Sequence, residues 1–193
     1  RDSTNMKTAE QINKIEAVVL YILNKFEDGT DYIKLYKIMY FAQRDFLSSF
    51  GREILPETFK ARKFGPVPAL TIKVIKQVED SEVNDYPDLA NFEKGITVSN
   101  KIVRAIKKCD VDYISVKERK CLDKWFDFCK DKDSLSELSA LSHDKAYQAV
   151  IDRMSSDPQQ DRMTQIDIAK GGGASEKILN YIHEHELIES ALA

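Results

Sequence analysis

The sequence predicts a mostly α-helical α+β fold: a compact helical domain with a small β-hairpin or short sheet and a helical C-terminal tail. Apolar residues recur at helical spacing over two long stretches near the start, and capping signals precede several later stretches. One short segment instead alternates as a strand does. A chain of 193 residues with 42% hydrophobic residues is of single-domain size and can bury a core.

Two amphipathic helices are predicted first. Thr8 and Gln11 form a capping-box signature, and the apolar spacing after them predicts a helix over residues 9–26. Asp31 is the predicted N-cap of a second helix, which Gly51 ends. A wide apolar stripe places this second helix at the centre of the fold. The stripe consists of Leu35, Ile38, Met39, Ala42 and Phe46.

Phe41 lies on the polar arc of the second helix, near Lys37 and Arg44, and the core stripe does not account for it. The simpler explanation is that the following segment or the C-terminal tail covers this ring. The alternative is that a partner protein contacts it.

An extended segment follows the second helix. Residues 58–64 are predicted to form a short strand, which Gly65 and Pro66 close as a turn. Phe64 is expected to anchor the turn from the core side. Pro68 fits the first turn of another helix, because its fixed φ suits that position.

The middle of the chain is predicted to hold a loop and further strands. An acidic loop without regular structure is predicted over residues 79–95. Residues 95–98 and 111–114 are strand-like and could form a small sheet with the strand over residues 58–64.

Helices dominate the rest of the sequence. Ser115 and Glu118 are a second capping box before an amphipathic helix, and Ser134 or Ser136 is expected to cap a shorter one. Residues 163–193 are predicted to form two short helices around a run of three glycines. We therefore divide the chain into three parts: residues 1–7, a leader or cloning remnant; residues 8–155, the domain; and residues 156–193, a helical C-terminal extension.

Charge and cysteine content exclude several classes of function. A net charge of −3 and a pI near 5.7 leave no global footprint for nucleic acid or anionic membrane. Three cysteines are an odd number at spacings that fit no metal signature. We expect a cytoplasmic protein with no cofactor, no metal and no membrane contact.

Some residues suggest chemistry, each with a simpler explanation. Ser142, His143 and Asp144 are the residue types of a nucleophile and its base, yet a capping or hydrogen-bonded histidine is the simpler reading. The glycine run lacks the Lys-Ser/Thr of a phosphate loop, and His183 and His185 point apart on a helix. We expect no enzyme.

A basic segment over residues 57–76 carries Phe59 and Phe64 and could bind nucleic acid. The net negative charge argues against that, and a face that recognises a protein partner is the preferred interpretation.

Three motifs resemble those of a known family. Residues 34–42, KLYKIMYFA, resemble the "KLxKLLYYA" helix of the SocA-like Panacea-domain antitoxins, and residues 63–68, KFGPVP, resemble their "KYGPV" turn. Leu141-Ser142-His143 with Tyr147 is similar to their "LSH…W" element, with tyrosine in place of tryptophan. Arg62 stands where an aromatic is common in the family.

The resemblance implies a non-enzymatic antitoxin of bacterial or phage type, which neutralises a cognate protein toxin, encoded in the adjacent gene, by direct contact. It leaves open an adaptor that delivers the toxin to a protease, and the basic segment leaves open a nucleic-acid-binding regulator. The residues that we expect to bind the partner are Lys37, Phe41, Arg44, Arg62, Lys63, Phe64, Gly65 and Pro66. The motif residues that we expect to be structural are Lys34, Leu35, Tyr40, Ala42, Ser142 and His143.

Overall fold

A computed structural model describes residues 7–82 and 86–193, and most of the predicted leader lies outside them. The fold is mostly helical with two small antiparallel sheets, which confirms the predicted class. The helices are α1 (Ala9–Leu23), α2 (Tyr32–Phe50), α3 (Ala69–Asp80), α4 (Ala90–Lys94), α5 (Val116–Cys129), α6 (Ser139–Ser142), α7 (Lys145–Ser156), α8 (Gln165–Gly171) and α9 (Glu176–Leu192). The strands are β1 (Thr30–Asp31), β2 (Phe59–Arg62), β3 (Gly65–Pro68), β4 (Ile96–Ser99), β5 (Ile102–Ala105) and β6 (Arg162–Met163).

Helix α2 is the central element, as its wide apolar stripe predicts. It packs against α1, α5 and α8, and all five residues of the predicted stripe are buried. Asp31 caps its start by accepting a hydrogen bond from the Lys34 amide, and Gly51 ends it with φ +68°. The predicted capping boxes at Thr8 and Ser115 are both formed. Local sequence signals therefore set these helix ends.

Strand β2 lies between β3 and β6 in one sheet. The prediction of a turn at Gly65-Pro66 is wrong, because these residues begin β3. Pro66 and Pro68 pair opposite Ala61 and Phe59, whose backbone groups face β6; the Ala61 amide, for example, donates to the Asp161 carbonyl. The missing proline N–H groups would thus point to the open sheet edge, where they are not needed.

Glu57 replaces the side-chain acceptor that the N-cap residue of α3 lacks. Pro68 precedes α3 and has no side chain that could cap it. The buried Glu57 carboxylate instead accepts hydrogen bonds from the Leu70 and Thr71 amides and from the Thr71 hydroxyl. Its negative charge at the helix N-terminus is also favourable for the helix dipole.

The second sheet has the strand order β1-β5-β4 and is separate from the first, so the single sheet considered from the sequence does not form. The predicted strand over residues 95–98 overlaps β4 to within one residue, but Val111–Tyr113 is a 3₁₀ turn rather than a strand. The predicted acidic loop is helical at both ends, through the end of α3 and through α4. Burial of Leu89 and Phe92 fixes the second end, although the composition of this region is that of a loop.

The segment between α5 and α7 is capped by Asp133, which accepts from the Leu135 and Ser136 amides. The expected caps at Ser134 or Ser136 are therefore wrong by one to three residues. Ser134–Leu138 winds as a π-helical turn that continues into α6.

The C-terminal part forms two helices around the glycine run, as predicted. Strand β6 joins the first sheet, and α8 packs on α2 and α7. A Cβ at Gly172 would fall 2.6 Å from Ser48 Oγ, so glycine is needed there for close helix packing. The domain boundary near residue 156 stays a prediction. Within the described residues, none of the helices has both the length and the apolar character needed to cross a bilayer.

Candidate partner-binding site

The hairpin tip, residues 62–65, connects β2 to β3 and is held from the inside by side chains that are distant in sequence. Two backbone carbonyls of the tip accept hydrogen bonds in this way: Arg62 O from the Tyr147 hydroxyl at 2.9 Å, and Phe64 O from Lys37 Nζ. The His143 imidazole lies beside the backbone of Lys63, between these two. The three side chains come from α2, from α7 and from the residue after α6. All three sequence motifs therefore meet at this tip.

Lys37 is the most unusual of these donors, because only 1% of it is exposed. Burial lowers the pKa of its ammonium group to about 7, against the opposing effect of the Asp144 carboxylate. A buried cation is costly unless it has a partner, and Phe64 O is that partner. Lys37 therefore acts on the tip from below.

Gly65 is required at the tip for two reasons. Its φ of +103° is a conformation that other residues adopt only with strain. A Cβ at this position would also collide with Ser142 Oγ and Lys37 Nζ. The glycine of one motif thus makes room for the lysine and serine of the other two.

Asp144 joins α2 to the start of α7. Its Oδ2 accepts hydrogen bonds from the Tyr40 hydroxyl at 2.6 Å and from Arg44 Nη1 at 2.8 Å. Its Oδ1 caps α7 by accepting from the Tyr147 amide. Because Tyr147 also holds the tip, this network fixes the position of the hairpin relative to the central helix.

Phe41 is fully buried, and α5 covers it. Its ring centroid lies 5.3 Å from that of Trp125 and 6.3 Å from that of Phe128. Arg44 lies over its face, with 4.9 Å from the guanidinium carbon to the ring centroid. The sequence suggested that the following segment or the C-terminal tail covers Phe41. The covering element is instead α5.

The eight residues expected to bind a partner divide into two groups. Arg62, Lys63 and Phe64 are exposed at the tip, and 43% of Phe64 is accessible. The expectation that Phe64 anchors the turn from the core side is therefore wrong. The others lie at or below the surface: Lys37, Phe41, Gly65 and Pro66 are buried, and Arg44 is half-buried. Of the motif residues expected to be structural, Leu35, Tyr40, Ala42 and Ser142 are buried.

The nucleophile-and-base reading of Ser142 and His143 has no support in the geometry. The Ser142 hydroxyl donates to the Ser139 carbonyl at 2.9 Å, whereas the His143 ring stacks on Tyr147 with centroids 4.3 Å apart. Burial and the charge of Lys37 lower the pKa of His143. Burial raises the pKa of the Cys129 thiol to about 12, which leaves it a poor nucleophile.

A basic cleft lies beside the tip, with a volume of about 870 Å³. Helix α2, both strands of the hairpin, the start of α3 and two turns line it. Its cationic side chains are Lys34, Lys37, Lys60, Arg62, Lys63, Lys76, Lys101 and Lys132, and its carboxylates are Asp31 and Asp133. Sequence reasoning found the basic segment 57–76 but missed Lys101 and Lys132, which reach the cleft only through the fold.

Exposed apolar side chains also mark α9. Only Ile182 of this helix is buried, whereas Leu187, Ile188 and Leu192 are exposed by 59% to 83%. His183 and His185 lie on the same helix, and the described residues contain no group of three or more potential metal ligands.

These features define a mostly helical α+β domain built around a β-hairpin whose tip is anchored by side chains. The family model of the SocA-like antitoxin, Panacea domain, matches residues 35–148, which include every residue that holds the tip. The chain belongs to this family, whose name indicates an antitoxin-like function and, in general, a toxin partner. Searches of curated proteins and of solved structures return no match.

Proposed function

We propose that this protein neutralises a cognate protein toxin, encoded in the adjacent gene, by binding it directly through the hairpin tip. The observation that carries the proposal is the exposed Phe64 on a tip whose backbone is fixed from below. Family membership supports the antitoxin role. Neutralisation is steric in this proposal, and the protein itself is not an enzyme.

The fixed backbone is what makes the tip suited to binding. Ordering a loop on association costs free energy, and a tip that is already ordered avoids that cost. Aromatic and arginine side chains contribute most at the centres of protein interfaces. Here Phe64 follows Arg62 and Lys63 in the sequence, and the Lys63 ammonium group lies 5.4 Å from the Phe64 ring centroid.

The buried residues act indirectly in this proposal. Lys37 and Gly65 set the conformation of the tip, and Pro66 belongs to the edge strand behind it. Phe41 and Arg44 hold α5 and α7 against α2.

Substitution of Phe64 by serine tests the proposal. Expression of the adjacent gene alone should be toxic, and its co-expression with the wild-type protein should be harmless. The two proteins should copurify. We expect Phe64→Ser to weaken toxin affinity at least about tenfold, as for an interface hot spot, while the melting temperature stays unchanged. Isothermal titration calorimetry measures the affinity.

Phe50→Ser is the matched control. Phe50 is 45% exposed, close to the 43% of Phe64, but lies at the far end of α2. Equal affinities of both variants would contradict a role of the tip. Absence of rescue and of copurification with the wild-type protein would contradict direct neutralisation, and rescue that requires an active protease would indicate the adaptor mechanism instead.

A further inference from the structure

The basic cleft concentrates positive charge in a protein of negative net charge. Eight basic side chains and two carboxylates line it, which gives a formal charge of +6 when Lys37 is protonated. The whole chain carries −3, so subtracting the cleft leaves −9 for the rest of the chain. Such a charge distribution directs an anionic group to one place on the surface.

Most cations of the cleft have no carboxylate partner within the described residues. Arg62 forms a salt bridge with Asp161, but none of the seven lysines forms one with a carboxylate in the described part of the chain. Both carboxylates of the cleft are occupied as helix caps, and Asp31 also accepts from the Ser134 hydroxyl. Lys34 and Lys132 donate to the Lys130 and Phe128 carbonyls, which hold their ammonium groups in place without cancelling their charge.

Lys37 lies at the base of the cleft. Its side chain is 1% exposed, and its single hydrogen bond among the described residues is donated to Phe64 O. Because burial lowers the pKa of its ammonium group to about 7, an anionic group bound in the cleft would favour its protonated form. A carboxylate has the right charge.

We infer that the basic cleft binds a short acidic segment of the toxin, next to the contact that Phe64 makes. This inference rests on the proposed function, because it names the part of the toxin that the same surface receives. Carboxylates of the segment would pair with the lysines of the cleft. Apolar side chains between the lysines, including Val67, Ile72 and Leu135, would contact its apolar residues.

The lining favours a peptide over a nucleic acid. The rings of Tyr32 and Tyr36 stack on each other, with centroids 5.8 Å apart, and Lys63 lies over the ring of Phe64. Their faces are therefore less open to stacking with bases. A nucleic acid would also carry its charge beyond the cleft, across a surface that is negative overall. The acidic end of α3 lies close to the cleft, since the charge of Glu79 contributes to the raised pKa values of Tyr32 and Tyr36 in its lining.

Charge reversal in the cleft is the first test. The double variant Lys60→Glu/Lys76→Glu should bind the purified toxin at least tenfold more weakly than the wild-type protein at low salt. The dependence of affinity on salt concentration should also become shallower. Neither lysine holds the hairpin tip by a side-chain hydrogen bond, so circular dichroism and the melting temperature should show an intact fold.

The matched control is Lys117→Glu/Lys120→Glu on α5. Lys117 lies over the ring of Phe50, at the opposite end of α2 from the cleft, with 4.3 Å from its Nζ to the ring centroid. This variant has the same net charge as the cleft variant, and we expect its toxin affinity to change by less than about threefold. Equal weakening in both variants would show a general charge effect and overturn the assignment to the cleft.

Carbodiimide crosslinking of the wild-type complex identifies the occupant, because the reagent joins a carboxylate to a lysine amine only where they touch. We expect Lys60 and Lys76 to be linked to one acidic segment of the toxin. Crosslinks that avoid the cleft would overturn the inference while leaving toxin binding established. A labelled thymidine 20-mer that binds the wild-type protein but not the cleft variant, and competes with the toxin, would assign the cleft to nucleic acid instead. If the wild-type protein does not bind the toxin, the proposed function itself fails.

Discussion

The two β-hairpins of this protein make their turns in different ways. The β4–β5 hairpin turns at Asn100 and Lys101, which both adopt left-handed conformations with φ of +51° and +65°. Such a two-residue turn matches the twist of its strands and needs little outside help. The tip at residues 62–65 is instead held by side chains up to 85 residues away in sequence. One turn is encoded locally, and the other depends on the whole domain.

Among the substitutions that test this difference between the hairpins, Gly65→Ala should lower the free energy of unfolding most. The new Cβ would collide with Ser142 and Lys37 and would strain a residue at φ +103°. We expect the free energy of unfolding to fall by about 2–4 kcal/mol, since strain and overpacking add. Urea denaturation measures it. Gly173→Ala is the control, because Gly173 also has positive φ but nothing lies within 4 Å of its Cβ position. Its loss should be limited to about 1–2 kcal/mol of backbone strain. Equal losses would mean that the collision at the tip is relieved without consequence.

Lys37→Met should change the pH dependence of stability. The pKa of Lys37 is about 7 in the folded protein and near its ordinary value of 10.5 in the unfolded chain. Between these values the unfolded state binds the extra proton, so the wild-type protein should become more stable as the pH rises above 7. We expect a gain of about 1–2 kcal/mol between pH 7 and pH 9 that the variant lacks. Urea denaturation at several pH values measures the difference. Lys60→Met should keep the wild-type slope because Lys37 is intact, and a slope retained in Lys37→Met would refute the assignment.

Tyr147→Phe should have a smaller effect, because it removes only the hydroxyl that donates to Arg62 O. The ring can still stack on His143. We expect a loss of about 1 kcal/mol in the free energy of unfolding, typical for one hydrogen bond. Tyr181→Phe on α9, where the ring is 43% exposed, should change stability by less than about 0.5 kcal/mol. If Tyr147→Phe lowers the free energy of unfolding no more than Tyr181→Phe does, the tip does not need the Tyr147 hydroxyl as a donor.

The same contrast explains what the sequence could predict. Helices α1, α2 and α5 were predictable because their caps and apolar periods lie within a few residues of each other. Strand β3 was not, since its two prolines indicate a turn unless the strand is known to lie at a sheet edge. Phe41 was placed on a polar arc, and only the packing of α5 shows that it is core.

The candidate site was predictable in its parts but not in its geometry. The motifs identified Lys37, the tip and His143, and the sequence placed Arg62, Lys63 and Phe64 in a basic segment. That Lys37 and Tyr147 donate to two backbone carbonyls of the tip, with His143 beside the Lys63 backbone, follows only from tertiary contacts. Neither composition nor periodicity carries a signal for such convergence.

Lys101→Gly should have the smallest effect and the opposite sign. A lysine at φ +65° is strained by about 1–2 kcal/mol, whereas glycine adopts this conformation readily but loses more entropy on folding. The two contributions leave a net stabilisation of less than about 1 kcal/mol, visible as a small rise in the urea midpoint. Asn100→Gly should gain less, because asparagine tolerates the left-handed region better than lysine. The carbonyl of Lys101 still accepts from the Tyr32 amide in the variant, since glycine keeps the backbone. Destabilisation by Lys101→Gly would mean that the lysine side chain holds this turn, and the β4–β5 hairpin would then depend on its surroundings as the other hairpin does.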